Sequence, residues 1–114
     1  MGVSIKRVYD KPDPADGFRV LVDRLWPRGV SKERADLDAW LKDVAPSPEL
    51  RTWWGHNPDT MEEFARRYTA ELGPREEVNT LRTIIAEHPV VTLLYGAKDP
   101  VVNHARILAE YLSS

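Results

Sequence analysis

Arg24, Arg28 and Lys32 lie close together in the chain, with Asp23 and Trp26 among them. Cationic side chains spaced this way beside an aromatic ring suit an anion such as a phosphate or a carboxylate, and arginine adds bidentate hydrogen bonds. A second polar group, Lys98, Asp99 and His104, comes late in the sequence. An imidazole there is a candidate general base or hydrogen-bond donor, with Asp99 or Asp23 to orient it. His56, between Gly55 and Asn57, is the other candidate acid–base, whereas His88 precedes Pro89 and reads as a helix terminator. The three histidines show neither His-x-x-His nor His-Glu-x-x-His spacing, so no metal site is expected. The absence of cysteine removes thiolate catalysis and cysteine metal sites together. A covalent route would fall to Ser47, Lys42 or Lys98, none of which has an activating partner at a recognisable spacing. Glycine-rich dinucleotide and phosphate loops and the Gly-x-Ser-x-Gly elbow are also missing, and no cofactor is expected.

The elements that must hold these residues follow from periodicity. Residues 18–25 begin as a buried strand, since Val20, Leu21 and Val22 can cover both faces of a sheet. Asp23, Arg24, Trp26, Arg28 and Lys32 then arrive at its carboxyl end, where ligands of α/β sheets usually sit. Residues 3–9 alternate and predict a strand at a sheet edge. The turn formers of residues 11–17 connect the two strands and could close a hairpin. Ser31 is a candidate N-cap for one turn of helix, although Arg34 occupies the position where a capping box needs Glu. Residues 37–44 fit both a helix (Leu37, Trp40, Leu41, Val44) and a strand (Leu37, Ala39, Leu41); Pro46 and the need for another sheet member favour the strand.

The later elements are clearer. Ser47-Pro48-Glu49 starts a helix that carries Leu50, Trp53 and Trp54 to Gly55. Asn57-Pro58-Asp59 starts the next, with Met61, Phe64, Ala65, Tyr68 and Leu72 as its apolar stripe and Gly73-Pro74 as its stop. A third spans residues 75–87 and buries Val78, Leu81, Ile84 and Ile85. Residues 90–95, ending at Tyr95, form the best buried strand. Asp99-Pro100 is expected to open the last helix, with Val101, Ala105, Leu108 and Leu112 facing inward. The expected fold is α/β: a single domain with a small, mainly parallel sheet of three to four strands and about four to five helices. If the strands at residues 18–25 and 90–95 are parallel neighbours, their loops share one edge. Arg24, Arg28, Lys32, Lys98 and the N–H groups of the last helix would then frame an anion pocket.

Composition narrows the partners. The chain has 114 residues, which suits one domain, and its net charge of -2 argues against gripping nucleic acid or anionic lipid with the whole surface. Arg28, Lys32 and Arg51 with a stacking Trp leave a local nucleic-acid contact as an alternative, and the Trp-rich surface leaves a protein-interaction module as another. No apolar run approaches a membrane span, and the N-terminal stretch lacks a signal peptide's apolar core, so a cytoplasmic protein is expected.

The run Asp16-Gly17-Phe18-Arg19-Val20-Leu21-Val22-Asp23-Arg24-Leu25-Trp26-Pro27-Arg28-Gly29 resembles the signature of the YeaO-like family, bacterial proteins classed as domain of unknown function 488. Trp40-Leu41-Lys42-Asp43, Ala45-Pro46-Ser47, Leu50-Arg51, Arg67-Tyr68, Glu71-Leu72, Lys98-Asp99 and Asn103-His104-Ala105 extend the resemblance along nearly the whole chain. Met61 departs from it, where an aromatic is expected. The resemblance implies a bacterial, cytoplasmic α/β domain with no established activity. Its patterned polar residues fall on Arg24, Arg28, Lys32, Lys42, Ser47, Arg51, His56, Lys98, Asp99, Asn103 and His104. The candidate site is therefore His104, His56 and Asp99 for acid–base work. Arg24, Trp26, Arg28, Lys32, Lys42, Ser47, Arg51, Tyr95, Lys98 and Asn103 are the candidates for binding a small anion.

Overall fold

Successive residues of the central strands enter two cores of unlike size, and those two faces dictate the rest of the architecture. A computed structural model describes residues 2–113. The elements in order are β1 (Gly2–Arg7), β2 (Phe18–Leu21), α1 (Lys32–Ala35), β3 (Ala39–Trp40), α2 (Pro48–Trp54), α3 (Met61–Leu72), α4 (Glu76–Glu87), β4 (Val90–Tyr95) and α5 (His104–Ser113). The strands lie in the order β1-β4-β2-β3 and every pairing is parallel. Val20, Val22, Val91, Leu93 and Tyr95 face one way, into the main core with Phe64, Tyr68, Leu72, Leu81 and Leu108. Leu21, Leu94 and Val8 face the other way, into a smaller core with Val30 and Ala35. Burial of Val20, Leu21 and Val22 is complete, as their position in a two-sided strand requires.

The helix signals at Ser31 and Ser47 operate as expected, whereas Asn57 caps a separate 3-10 turn (Pro58–Thr60) that α3 follows from Met61. Ser31 Oγ accepts from Arg34 N, and α1 lasts a single turn. Ser47 Oγ caps α2 with Pro48 at the first helical position, and Gly55 ends it in the left-handed conformation. Residues 37–44 divide: β3 takes two residues, and a 3-10 turn over Lys42–Val44 follows before Pro46. The alternation at residues 3–9 does mark an edge strand, since β1 ends the sheet on one side.

Three expectations are corrected. The first is the hairpin: β4 inserts between β1 and β2, which run in the same direction. Residues 8–17 instead carry the chain back to the starting edge of the sheet, through a 3-10 turn (Pro14–Asp16) capped by Asp13. The second concerns length, because β2 stops at Leu21 rather than continuing to residue 25. The third is the last helix. Asp99 Oδ1 accepts from the N–H groups of Val101 and Val102 at 2.8 and 3.0 Å, which makes a turn there instead of a helix start. The helix begins at His104, with Asn103 Oδ1 accepting from Arg106 N at 2.9 Å. Val101 is consequently outside the helix and 51% exposed.

Arg19 fastens the face covered by irregular chain. Its guanidinium, in the middle of the sheet and almost fully buried, donates to Asp16 and to the carbonyls of Ala35 and Asp36, while its backbone N–H donates to Asp38. Asp16 also accepts from Lys6 of β1, and its backbone carbonyl accepts from Thr92 of β4. These donors hold the Asp16 carboxyl below the ordinary range against the opposing effect of burial, which is the largest influence on it. Gly17, at φ +65°, lets the chain pass so close to β4 that a Cβ there would lie 2.3 Å from the Val90 carbonyl oxygen.

Arg19→Leu strips Asp16 and two carbonyls of their buried donors. Breaking a buried pair of this kind costs roughly 3 kcal/mol or more, to be read as a lowered midpoint in urea unfolding; a midpoint equal to that of the parent chain would show that the fastening is dispensable.

Candidate functional site

An all-parallel sheet brings the carboxyl ends of its strands to one edge. There the segments following β1, β2 and β4 enclose a cavity of about 280 Å³ together with α2 and the start of α5. Arg24 and Trp26 come from the loop after β2, Arg51 from α2, His56 from the turn after it, and His104 from the first residue of α5. Tyr9, Asp23 and Gly96 complete the polar and backbone lining. The cationic turn after β2 and the start of the last helix are thus neighbours.

The loop after β2 is held rigid through its backbone. The Trp40 indole donates to the Asp23 carbonyl at 2.8 Å, Tyr9 Oη to the Arg28 carbonyl at 3.0 Å, and the Trp26 indole to the Val30 carbonyl at 2.6 Å. Trp26 also packs edge-on against Trp40. Of these aromatics Tyr9 and Trp26 line the cavity, and each spends its donor hydrogen on the fold.

Asp23 links three segments. Its Oδ2 accepts from Gly96 N at 2.8 Å, and its Oδ1 lies 3.4 Å from His104 Nε2. A Cβ at residue 96 would come within 2.9 Å of the same Oδ2, so glycine is what admits the carboxylate. His104 Nε2 also lies 3.0 Å from the Val22 carbonyl. Both neighbours of Nε2 are acceptors, which assigns the ring hydrogen to that nitrogen. Burial pushes the imidazole pKa below its ordinary value; Asp23 and the Val22 carbonyl oppose this, while Arg51 and His56 add to the lowering. His104 is therefore a neutral ring whose Nε2–H is already engaged inside the protein.

The two arginines differ from this arrangement. Arg24 Nη1 reaches the half-exposed Asp43 only at 3.7 Å, and its buried Nε has no hydrogen-bond partner. Among the described residues, the Arg51 guanidinium has no hydrogen-bond or ion-pair partner, and the side chain stands exposed at the cavity wall. His56 is also unusual in its backbone: at φ +57°, directly after left-handed Gly55, it holds a conformation that costs a non-glycine residue about 1–3 kcal/mol. Its ring packs on Trp54.

The remaining candidates fall elsewhere. Lys98 and Asp99 line a second cavity of about 290 Å³, which shares His56 and Ala97 with the first. Lys32 lies on another depression beside Trp26. The Lys42 ammonium sits 5.0 Å above the Trp40 ring, and Arg28 is exposed on the loop. Three candidates are absorbed by the fold. Ser47 caps α2 and bonds Glu71 through both N–H and hydroxyl. Asn103, fully buried, caps α5 and donates to the Asp99 carbonyl. Tyr95 is 2% exposed, in the core, with burial raising its phenol pKa. The N–H groups expected at Pro100 are likewise absent from the edge, because α5 starts later and Asn103 caps it. Tyr9 and Gly96 escaped the sequence reading: neither stands in a motif, and only the parallel pairing of β1 and β4 brings them to this edge. Among the described residues, no group of His, Asp and Glu side chains could hold a metal ion.

A family model described as the inactive DUF488-N3 subclade matches residues 2–114. The chain is 43% identical to the uncharacterised protein YeaO of Escherichia coli (strain K12), over the whole of this chain and 99% of that protein. It is also 43% identical to the uncharacterised proteins Rv3073c of Mycobacterium tuberculosis and Mb3100c of Mycobacterium bovis, over 97% of this chain and 93% of each of theirs. No solved structure matches.

The His104 environment predicts a pH dependence of stability. In the unfolded chain the imidazole titrates near 6.5, whereas in the folded state its pKa is lower, so the unfolded state binds more protons in that interval and acid favours unfolding. Stability should be full above about pH 6.5 and should fall as the pH drops from there toward the lowered folded value. His104→Gln should flatten this decline in urea unfolding compared at pH 7.5 and pH 5.5; an unchanged decline would assign it to another group.

Proposed function

The chain belongs to the inactive DUF488-N3 subclade, and from that premise we propose that the cavity at the carboxyl edge is a non-catalytic binding site for a small anion, a phosphate or a carboxylate. The observation that carries the reading is the contrast within one cavity wall. The groups suited to acid–base chemistry are partly held by the backbone: His104 Nε2 by the Val22 carbonyl and Asp23 Oδ2 by Gly96 N, while Asp23 Oδ1 lies 3.4 Å from His104 Nε2 without a hydrogen bond. The groups suited to anions, Arg24 and Arg51, retain unused hydrogen-bonding capacity.

A proton-transferring imidazole is most efficient with a pKa near the working pH. Burial depresses that of His104, whose Nε2–H is held by a main-chain oxygen. The Ser47 hydroxyl, the one candidate oxygen nucleophile, is held by Glu71 and the α2 backbone. The description of the subclade as inactive agrees with this commitment of the reactive groups. Two guanidinium groups against one carboxylate leave these walls with a net positive charge, and their planar forks match phosphate and carboxylate oxygens. His56 supports the same reading, since a strained backbone at a cavity wall is retained where the side chain has a task.

Binding is measurable on the intact chain by titration calorimetry or by ligand-dependent melting with a panel of organic phosphates and carboxylates. Arg24→Ala and Arg51→Ala should each weaken binding roughly tenfold or more, the scale of a lost charged hydrogen bond, while shifting the unliganded melting temperature little. Loss of folding in both variants, or undiminished binding, would remove the reading. His56→Gly should raise the melting temperature by releasing backbone strain and at the same time weaken binding; a variant that loses stability would mean that the ring's packing on Trp54 outweighs the strain.

A further inference from the structure

The size and lining of the cavity carry the binding reading one step further, to the class of anion. A volume of about 280 Å³ corresponds to roughly nine water molecules at about 30 Å³ each, far more than a bare phosphate or carboxylate group occupies. The cations are only part of the lining. The contiguous run Leu25, Trp26 and Pro27 also lines it and offers a ligand no polar side-chain group, because the Trp26 indole N–H is engaged with the Val30 carbonyl. Leu25 is 67% exposed although it lines this cavity, so apolar surface there faces water. A hydrated inorganic ion gains nothing from that surface, whereas the hydrocarbon part of an organic anion does.

The second cavity gives that hydrocarbon part somewhere to go. It meets the first at His56 and Ala97 and continues past Val102, with Lys98 and Asp99 at its margin. Asp99 is spent on the Val101 and Val102 N–H groups, which hold its carboxyl below the ordinary range.

Resting on the anion-site reading above, we infer that the ligand is an organic anion with an extended apolar body. Its charged head lies between Arg24 and Arg51, and its body runs along Leu25 and Trp26 and past His56 into the cavity beside Val102. Specificity is then divided: the guanidinium groups select charge, and the two cavities select the length of the apolar portion.

The test is a titration series on the full chain with inorganic phosphate, methyl phosphate, butyl phosphate and hexyl phosphate. Each methylene buried in apolar surroundings strengthens binding by up to about fourfold, so affinity should climb along the series. Val102→Phe, which fills the second cavity, should cut hexyl phosphate binding back toward that of methyl phosphate and leave methyl phosphate unchanged. Should that variant fold poorly, the Val102 methyl resonances of the unsubstituted protein serve instead, shifting with hexyl phosphate but not with methyl phosphate. Equal affinity along the series overturns the inference and leaves the anion site standing. A length dependence with Val102 undisturbed overturns the placement of the body. If no member of this series binds, and none of acetate, butyrate and hexanoate titrated alongside it, the anion site falls, and this inference with it.

Discussion

The guanidinium of Arg19 is the fastening on which the sheet depends. A parallel strand pair needs a return crossover, and in most α/β domains a helix supplies it while covering the sheet. Here the connections from β1 to β2 and from β2 to β3 contain only a 3-10 turn and a four-residue helix. Such chain cannot satisfy its own backbone polar groups, and buried backbone carbonyls need donors. Arg19 supplies them: one side chain rooted in β2 reaches the Asp16 carboxylate on the first connection and the Ala35 and Asp36 carbonyls on the second. Lys6 and Thr92 add donors from the neighbouring strands. The result is a sheet with helices over one face and pinned irregular chain over the other.

The candidate site is a consequence of that arrangement. Because every strand points the same way, the segments after β1, β2 and β4 must meet at one edge, and because the connections are short and tied down, they meet in fixed positions. The aromatic anchors then fix the cationic loop by its main chain, with Trp40, Tyr9 and Trp26 each donating to a carbonyl within it. Asp23 joins that loop to the end of β4 through Gly96 and approaches His104 at the start of α5. The acid and the imidazole thereby help to close the edge, and beside them the Arg24 Nε and the Arg51 guanidinium have no hydrogen-bond partner among the described residues.

How far the sequence could be read depended on whether a signal was local. Buried strands and the Ser31 and Ser47 caps, with Pro48 and Gly55 at the ends of α2, act within a few residues, and the structure places them where periodicity and capping predict. The hairpin expectation failed because turn formers at residues 11–17 report that the chain turns, not which strand it joins afterwards. Asp99-Pro100 has the form of a helix start, yet the Asp99 carboxylate bonds the next N–H groups into a separate turn and leaves the cap to Asn103. Arg19 carried one local signal, a charge within a buried strand, but its partners are spread over two separate connections. The β3 segment was ambiguous for a plain reason: two residues of strand beside a 3-10 turn contain both periods.

The amino-acid sequence by itself determined the class of fold, the family, the existence of a buried strand running into a cationic loop, and the residues with chemistry to offer. Those are properties of short windows, set by side-chain volume, backbone preference and charge. The tertiary structure decided which of those residues share a cavity and which are consumed by the fold. Arg24, Trp26, Arg51, His56 and His104 were gathered; Ser47, Tyr95 and Asn103 were buried or used as caps. That division depends on strand order and direction, which are settled by long-range hydrogen bonds between segments far apart in the chain. No window of the sequence contains both partners of such a bond.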